Sequence, residues 1–279
     1  MNSICLSVAP NLRCEGLSRP RNIAILIPPA VELIFSLTLA FTRPCDRSRG
    51  HWLLVLDGLS FFLLALADLL SHVITQASST LVVFKIIDFV VAGASFFPIF
   101  AYTLFLFYFA RSYLITLLPQ RFSRIITAVL FATIPPIVVF NELGSLLGIV
   151  HRSDVNPATG QSEVQVGFAD APSQRLSLFF SSSTLALLTV FQAAIFSLGF
   201  IRLMRAFLDE RRVETTSDNP DAPDEVHLFR GLGWLVIGLK LGAIETVVGF
   251  ANVSFGAVLT RRILRLFARG AIIIGVLKG

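Results

Sequence analysis

Eight ionisable side chains interrupt otherwise apolar segments of the sequence. They are Glu32, Asp68, His72, Lys85, Asp88, Glu142, Lys240 and Glu245. Ionisable groups in apolar helices avoid hydrocarbon and usually face the interior of a helix bundle or a water-filled cavity. There they could bind a polar ligand or ion, or they could pair with one another and fix the helix packing. The first alternative predicts a ligand-binding cavity lined by these eight residues, and the second predicts interhelical ion pairs.

Spacing along the second apolar segment places its acidic groups on a common face. Asp57 and Asp68 are eleven residues apart, which is about three turns of an α-helix, and His72 follows one turn after Asp68. By position in the segment, Asp57 is nearer one membrane interface than Asp68 is. We therefore expect Asp68 to face the bundle and to be the more sensitive of the two carboxylates.

Two further charged pairs differ in what their spacing allows. Lys85 and Asp88 are three residues apart and could pair on one helix. Lys240 and Glu245 are five apart, so they point to different faces and need partners on other helices.

The elements that must position these residues are membrane-spanning helices. Hydrophobic residues make up 54% of the 279-residue chain and charged residues 15%, whereas soluble domains carry about 25% charged residues. Runs of about 20 apolar residues are long enough to cross the bilayer. The sequence predicts an all-α, polytopic membrane helix bundle with seven spans at 23–41, 52–74, 81–118, 125–150, 176–203, 232–250 and 254–279. The third run exceeds one crossing and is expected to bend at Pro98.

The domain organisation follows from these spans. A polar tail, 1–21, precedes one transmembrane domain, 22–279, with a polar external loop at 151–174 and a flexible, charged cytosolic loop at 208–226. Arginine is concentrated in the loops on one side, including 42–51, 119–124 and 208–226. The positive-inside rule then predicts that this side is cytosolic and that the N-terminus is external or lumenal.

The last segment is unusual because it carries four arginines, none of which is expected to face lipid: Arg261, Arg262, Arg265 and Arg269. Three of them, Arg261, Arg265 and Arg269, are four residues apart and form a stripe on one helical face. Arginine at the bilayer centre costs about 2.5–3.5 kcal/mol per residue on insertion scales, so this stripe is not expected to face lipid. One alternative is a seventh span whose stripe meets acidic groups such as Glu245 or Asp88. The other is an amphipathic helix at the membrane interface.

Two stretches are similar to a known family. The second apolar segment contains Leu-Ala-Leu-Ala-Asp68, and the third ends in Ala110-Arg111-Ser-Tyr113. Across helices 2 and 3, these resemble the LAxAD stretch and the Asp-Arg-Tyr region of rhodopsin-like seven-transmembrane G-protein-coupled receptors. The resemblance implies a seven-helix receptor layout, an aspartate inside the bundle, and a cytosolic switch role for Arg111.

Three functions remain open. The first is a receptor-like sensor with an outward-facing polar cavity for a small-molecule or lipidic ligand, and a cytosolic protein partner at loop 208–226. The second is a transporter of small solutes or lipids. The third is an intramembrane enzyme on a lipidic substrate, with Asp68 and Glu245 as acid and base. Membrane lipid is the expected surroundings; no nucleic-acid partner, metal or cofactor is expected, because the sequence shows no Walker, GxGxxG, HExxH or CxxC pattern.

Overall fold

The chain forms a bundle of long helices with two small β-hairpins. The computed structural model describes residues 5–7, 12–14, 19–42, 49–77, 81–155, 162–214, 223–250 and 255–278. Its helices are α1 (Arg19–Thr42), α2 (Arg49–Ala77), α3 (Leu81–Gly93), α4 (Phe96–Phe109), α5 (Gln120–Leu146), α6 (Ala171–Glu214), α7 (Pro223–Val248) and α8 (Phe255–Lys278). The strands are β1 (Cys5–Ser7), β2 (Leu12–Cys14), β3 (Ile149–Val155) and β4 (Ser162–Phe168).

Six helical segments in the described part of the chain are long and apolar enough to cross a membrane. They are Ile23–Thr42, Gly50–Leu70, Lys85–Leu114, Gln120–Leu146, Ala171–Arg205 and Gly231–Val248. These six segments confirm a multi-pass integral membrane protein. The predicted number of seven depends on α8, whose arginines exclude it from this apolar set.

Apolar side chains cover the outside of the bundle as well as its core. Val82, Phe89 and Val190 are among many large apolar residues that are exposed, as expected where hydrocarbon replaces water. In contrast, α4 buries nine of its 14 residues, with Tyr102 and Leu106 fully enclosed, and exposes a single stripe at Phe97, Phe100 and Tyr108. The core is therefore built around α4.

The third span is broken, and the break lies slightly before the predicted bend at Pro98. α3 ends at Gly93 and α4 begins at Phe96, with a turn at Ala94–Ser95. Proline has no N–H, so Pro98 cannot bond to the Ala94 carbonyl four residues earlier. That carbonyl accepts the Phe97 N–H instead, at 3.2 Å. The effect of the proline thus appears one turn upstream. At its other end, α4 continues into a π-helical turn (Ala110–Leu114) and a 3₁₀ turn (Ile115–Leu117).

The all-α bundle fits the structure, and the predicted external loop 151–174, between α5 and α6, contains most of a two-stranded hairpin. β3 and β4 pair antiparallel from Ile149 opposite Phe168 to Val155 opposite Ser162. In the sequence, single residues separate Val164, Val166 and Phe168, a period-two pattern typical of a strand. The N-terminal tail holds a second hairpin, in which Cys5 and Cys14 occupy opposite register positions.

The predicted cytosolic loop 208–226 is shorter than expected. α6 continues as a helix to Glu214 and α7 begins at Pro223, so 215–222 is the part that lies outside the described residues. Leu, Glu and Arg are strong helix formers and extend α6. Proline suits the first position of α7, where its missing N–H costs no hydrogen bond. At 44 residues, α6 is about 66 Å long and projects beyond a hydrocarbon core of about 30 Å.

α1 and α8 lie side by side and run in the same direction. The Arg21 guanidinium lies 5.5 Å from the ring centre of Phe255 at the two helix starts. Further along both helices, Arg265 contacts Glu32, and the Gly270 backbone faces Phe35. The order of contacts is the same in both helices. α8 therefore follows α1 through most of its length instead of crossing it.

Candidate functional site

Four arginines of α8 point into the bundle. Arg261, Arg262, Arg265 and Arg269 are 3–6% exposed, whereas Phe267 on the opposite face is 60% exposed. This confirms that Arg261, Arg265 and Arg269 do not face lipid. Arg262, the fourth arginine expected to avoid lipid, is adjacent to the stripe and equally buried.

The centre of the site joins α8 to α1 and α2. Arg265 lies between two carboxylates: its Nε is 3.2 Å from Glu32 Oε2, and its Nη2 donates to Asp57 Oδ1 at 2.6 Å. Arg269 Nε donates to Asp57 Oδ2 at 2.7 Å. Glu32 and Asp57 are each 1% exposed. Buried charges are tolerated only when they are paired and hydrogen-bonded, and these four groups form such a cluster.

A close approach of α1 and α2 brings the two carboxylates within reach of one guanidinium. A side chain at Gly58 would collide with the Ser36 hydroxyl of α1. Ser36 itself donates its hydroxyl to the Glu32 carbonyl at 2.9 Å. Gly58, next to Asp57, thus allows the two helices to meet at the level of the cluster.

Aromatic rings and an amide extend the cluster to α4 and α6. The Arg265 guanidinium lies 3.7 Å from the ring centre of Phe61, and that of Arg269 lies 3.1 Å from the ring centre of Tyr102. Such cation–π contacts stabilise a desolvated guanidinium. The Tyr102 hydroxyl accepts a hydrogen bond from Gln192 Nε2 at 3.2 Å. A displacement of α8 would therefore change its contact with Tyr102 of α4 and, through Tyr102, the contact with α6.

At the other end of the stripe, α8 contacts α7 and α2. Arg261 Nε is 3.6 Å from Glu245 Oε1, and both side chains are buried. Asp68 interacts electrostatically with Arg262. The carboxylates suggested as an acid–base pair thus face two different arginines.

Arg262 also satisfies a backbone group of α1. Its Nη1 donates to the Ile25 carbonyl at 2.8 Å. In a regular helix this carbonyl would accept the N–H of residue 29, but that residue is Pro29 and has none. A buried carbonyl without a partner is costly, so the arginine fills the gap left by the proline.

The cluster is balanced in formal charge but retains unused hydrogen-bonding capacity. Four arginines face four carboxylates: Glu32, Asp57, Asp68 and Glu245. Within this cluster, four buried atoms have no hydrogen-bond partner among the described residues: Arg261 Nη1, Arg262 Nε, Arg269 Nη1 and Gln192 Oε1. Buried polar atoms are normally satisfied, so the three arginine N–H groups could donate to water or to a ligand oxygen, and Gln192 Oε1 could accept from water.

A second polar cluster lies at the break between α3 and α4. Ser95 in the break donates to Glu142 Oε1 at 3.0 Å and accepts from Asn141 Nδ2 at 2.9 Å. Its hydroxyl is also 3.3 Å from that of Ser145. On the same span, Asp88 Oδ2 lies 2.6 Å from His151 Nε2, which joins α3 to β3.

The structure separates the eight predicted ligand-binding residues into groups. Glu32, Asp68 and Glu245 belong to the arginine cluster, and Asp88 and Glu142 belong to the region around the α3–α4 break. Glu32 and Glu245 form the interhelical pairs of the second alternative. Their binding of a ligand stays a prediction.

The remaining predicted residues do not join these groups. Lys85 and Lys240 are exposed on the bundle surface, and the side chain of His72 lies outside the described residues. Asp88 bonds to His151 instead of forming the expected local pair with Lys85. Lys240 does not enter the interior as its position suggested, because long lysine side chains can extend along an apolar surface towards a polar boundary.

Asp57, which was not among the predicted site residues, is the carboxylate with the most arginine contacts in the described chain. Its distance from Asp68 showed that the two share a face. The sequence did not reveal how deeply Asp57 is buried, because its burial depends on how α1 and α2 cross at Gly58.

Fold and site together define a multi-pass helical membrane protein with an interior arginine–carboxylate cluster. No protein-family model matches the chain, and no curated protein shows significant similarity to it. The functional argument therefore depends on the geometry of the two clusters.

Proposed function

We propose that this protein is a receptor-like sensor with seven membrane spans, in which the position of α8 carries the signal. α8 is the seventh span in this proposal. The parallel packing of α1 and α8 supports this assignment, because the first and seventh spans of a bundle cross the membrane in the same direction. Its 24 residues are about 36 Å long, enough to cross the hydrocarbon core.

The observation that carries the proposal is the bridge that Arg265 makes between Glu32 of α1 and Asp57 of α2. Ion pairs away from water depend steeply on geometry, since a displaced charge loses its partner without gaining hydration. A cluster of this kind favours discrete arrangements of the helices over gradual displacement. A ligand that binds one arrangement better than another would shift their populations.

The ligand in this proposal is a small-molecule or lipidic compound that presents acceptor oxygens to the interior. Unsatisfied N–H groups of Arg261, Arg262 and Arg269 support that chemistry. The proposed access is from the outer side, through a polar cavity that leads towards Arg261 and Glu245. Those two residues lie near the first turns of α8 and the last turns of α7.

The signal in this proposal is read on the opposite side of the membrane. The N-terminus is external or lumenal, and the segment 208–226 contacts a cytosolic protein. The projecting end of α6 supports this assignment, because a helix longer than the bilayer offers a surface beyond it. The proposal puts Arg111, which is exposed at the π-helical turn after α4, on the same side, as the receptor resemblance implies.

The test measures whether the ion cluster sets the position of α8. Spin labels at Thr42 and Lys278, the last residues of α1 and α8, would report the helix separation in lipid nanodiscs by pulsed electron paramagnetic resonance. Arg265→Gln should add a second distance population, because it removes the charge that joins α1, α2 and α8. Lys240→Gln, at an exposed position, is the control and should leave one population. A folded Arg265→Gln protein with an unchanged distance distribution would contradict the sensor.

A transporter is the second candidate, and the broken span favours it. Discontinuous membrane helices expose backbone and polar side chains near the substrate sites of many transporters. Here the Ala94–Ser95 break is adjacent to Asn141 and Glu142. Solute or ion flux into proteoliposomes, lost in Glu142→Gln but retained in Asp170→Asn, would favour the transporter over the sensor.

A further inference from the structure

We propose that the outer face of α7 around Lys240 binds a membrane-spanning helix of another protein, one that carries an acidic side chain at mid-membrane depth. We call this the Lys240 face. Its residues recur every three or four positions, on one side of the helix: Gly233, Ile237, Lys240, Ile244 and Val247. The face is separate from the arginine cluster, which α7 joins through Glu245, and it does not depend on the sensor proposal.

Lys240 lies at the middle of the membrane-spanning part of α7. That part is Gly231–Val248, so Lys240 is nine residues from its start and eight from its end. At the rise of an α-helix, each end is about 12–14 Å away along the axis. The four-carbon stem of lysine shortens this distance but does not bridge it. The ammonium group therefore stays within the hydrocarbon.

The bundle supplies no counter-charge for this lysine among its described residues. Lys240 is exposed, and the ion-paired carboxylates of the described spans contact arginines or His151 instead. Glu245 on the same helix is buried and faces Arg261. Ionisable groups are rare and costly in lipid contact, and they usually pair with one another. The lone lysine therefore indicates a carboxylate supplied from outside this bundle.

The shape of the face favours a helix as the occupant. A polypeptide that reaches this depth must satisfy its own backbone hydrogen bonds, which a helix does. Small residues let two membrane helices approach closely, and a side chain at Gly233 would extend into open space. The packing inside the described bundle thus does not require a glycine there. Ile237, Ile244 and Val247 are 41–57% exposed and offer apolar surface on both sides of the lysine.

A second copy and a lipid fit the face less well. Two copies that met symmetrically at this face would bring two lysines together, and like charges repel. A phospholipid carries its charge in the headgroup, at the boundary that Lys240 does not reach. An acidic residue at the centre of a partner helix matches both the sign of the charge and its depth.

Energy transfer to a synthetic helix tests the proposal. The probe is a membrane-spanning peptide of about 20 leucines and alanines with one central aspartate and an acceptor dye, and a matched peptide has leucine in place of the aspartate. The donor dye is attached at Thr42→Cys in protein whose three native cysteines are replaced by serine. In phosphatidylcholine proteoliposomes, we expect saturable energy transfer to the aspartate peptide and at least tenfold weaker association of the leucine peptide.

Variants of the face separate its charge from its shape. Lys240→Leu should weaken association of the aspartate peptide at least tenfold, and Gly233→Leu, which fills the open space, should weaken it several-fold. Lys85→Leu is the control and should bind as the wild type does. It also removes an exposed lysine, but one at the start of its span, where the aspartate of the peptide does not reach.

Thermal unfolding distinguishes a docking role from a structural one. Lys240→Leu should unfold at a temperature no lower than that of the wild type, because leucine suits hydrocarbon better than an unpaired lysine does. A lower temperature would mean that the lysine holds the bundle together and would overturn the proposal. Equal association of the two peptides, or undiminished association in both Lys240→Leu and Gly233→Leu, would overturn it as well.

Two further results would assign the face to another occupant and so reject the partner helix. One is energy transfer between donor- and acceptor-labelled copies of the wild type that Lys240→Leu abolishes, which would indicate a second copy. The other is stabilisation of the wild type, but not of Lys240→Leu, by phosphatidylglycerol in the vesicles without any response to the aspartate peptide. That result would indicate an anionic lipid.

Discussion

At the scale of single residues, the position of each charged group in the bundle determines how many partners it has. Asp57 accepts hydrogen bonds from Arg265 and Arg269 and is almost fully enclosed, whereas Asp68 is half-buried beside Arg262. Asp68 was predicted to be the more sensitive carboxylate because its burial was inferred from its distance to the end of the helix. Depth in the bundle also depends on which helices close over a residue. Around Asp57, α1, α2 and α8 all meet.

We therefore expect Asp57→Asn to destabilise the protein more than Asp68→Asn. The asparagine keeps the side-chain shape but leaves Arg265 and Arg269 without their shared counter-charge. Breaking a buried pair from one side costs about 3–5 kcal/mol, and the half-buried Asp68 should cost clearly less. Thermal unfolding of both variants in the same nanodiscs measures the difference. Equal loss in the two proteins would show that Asp57 is not the central carboxylate.

The sequence predicts part of the site at this scale. The arginine stripe and its avoidance of lipid follow from the four-residue spacing of Arg261, Arg265 and Arg269 and from the cost of charge in hydrocarbon. The seventh-span alternative named Glu245 or Asp88 as partners of the stripe; Glu245 pairs with Arg261, whereas Asp88 contacts His151. The partners of Arg265 and Arg269 could not be predicted, because they depend on contacts between residues more than 200 positions apart.

At the scale of elements, prolines rather than loops explain the irregular features. Pro98 breaks the third span. Pro29 cannot donate to the Ile25 carbonyl, which accepts a hydrogen bond from Arg262 instead. The apolar runs located the helices correctly, but their ends were less predictable. The ends of α6 and α7 in segment 208–226 and the β3–β4 hairpin were interpreted as loop because both segments are polar. Polarity indicates exposure to water, and it does not distinguish a loop from an exposed helix or hairpin.

A double-mutant cycle tests the link between Pro29 and Arg262. Arg262→Leu should lower the unfolding temperature, because it leaves the Ile25 carbonyl unbonded in the bundle. Pro29→Ala restores an N–H that can bond to that carbonyl, so the arginine should then matter less. A hydrogen bond to a charged group contributes about 1.5–3 kcal/mol, which sets the scale of the expected coupling. Strictly additive effects of the two substitutions would mean that Arg262 does not replace the missing bond.

The start of α6 should depend on pH through Asp170. Its Oδ1 accepts the Ser173 backbone N–H at 2.7 Å. Hydrogen bonds from the side chain and the backbone of Ser173 lower the pKa of Asp170 below its ordinary value of 3.8. A lowered pKa in the folded state means that the cap stabilises the helix above the unfolded pKa. That stabilisation is lost as the pH falls through the folded value. Protection of the Ser173 amide against hydrogen exchange should decline there in the wild type.

Asp170→Asn separates the charge of this cap from its shape. Asparagine still accepts the Ser173 N–H but does not titrate in this range. Protection in the variant should therefore be independent of pH over the acidic interval. An identical pH dependence in both proteins would attribute it to another group.

At the scale of the whole molecule, the proposal of a seventh span rests on the direction of α8. An amphipathic helix at the interface would lie across the ends of the other helices. α8 instead follows α1 from the Arg21–Phe255 contact to the contact of Gly270 with Phe35, and its arginines are enclosed between helices. Hydropathy alone would miss the proposed seventh span, because its charges are compensated only in the assembled bundle.

Sidedness labelling tests this topology as a whole. In a background with the three native cysteines replaced by serine, single cysteines are introduced at Arg21, Ser48, Ser217 and Lys278. A membrane-impermeant thiol reagent applied to intact cells should label position 21 and spare the other three until the membrane is opened. Seven spans place positions 21 and 278 on opposite sides, because α8 then crosses in the same direction as α1. An interfacial α8 would keep position 278 on the side of position 21, so labelling of both from outside would contradict the seventh span. Labelling of positions 48 and 217 on different sides would in turn contradict the arrangement of the helices between them.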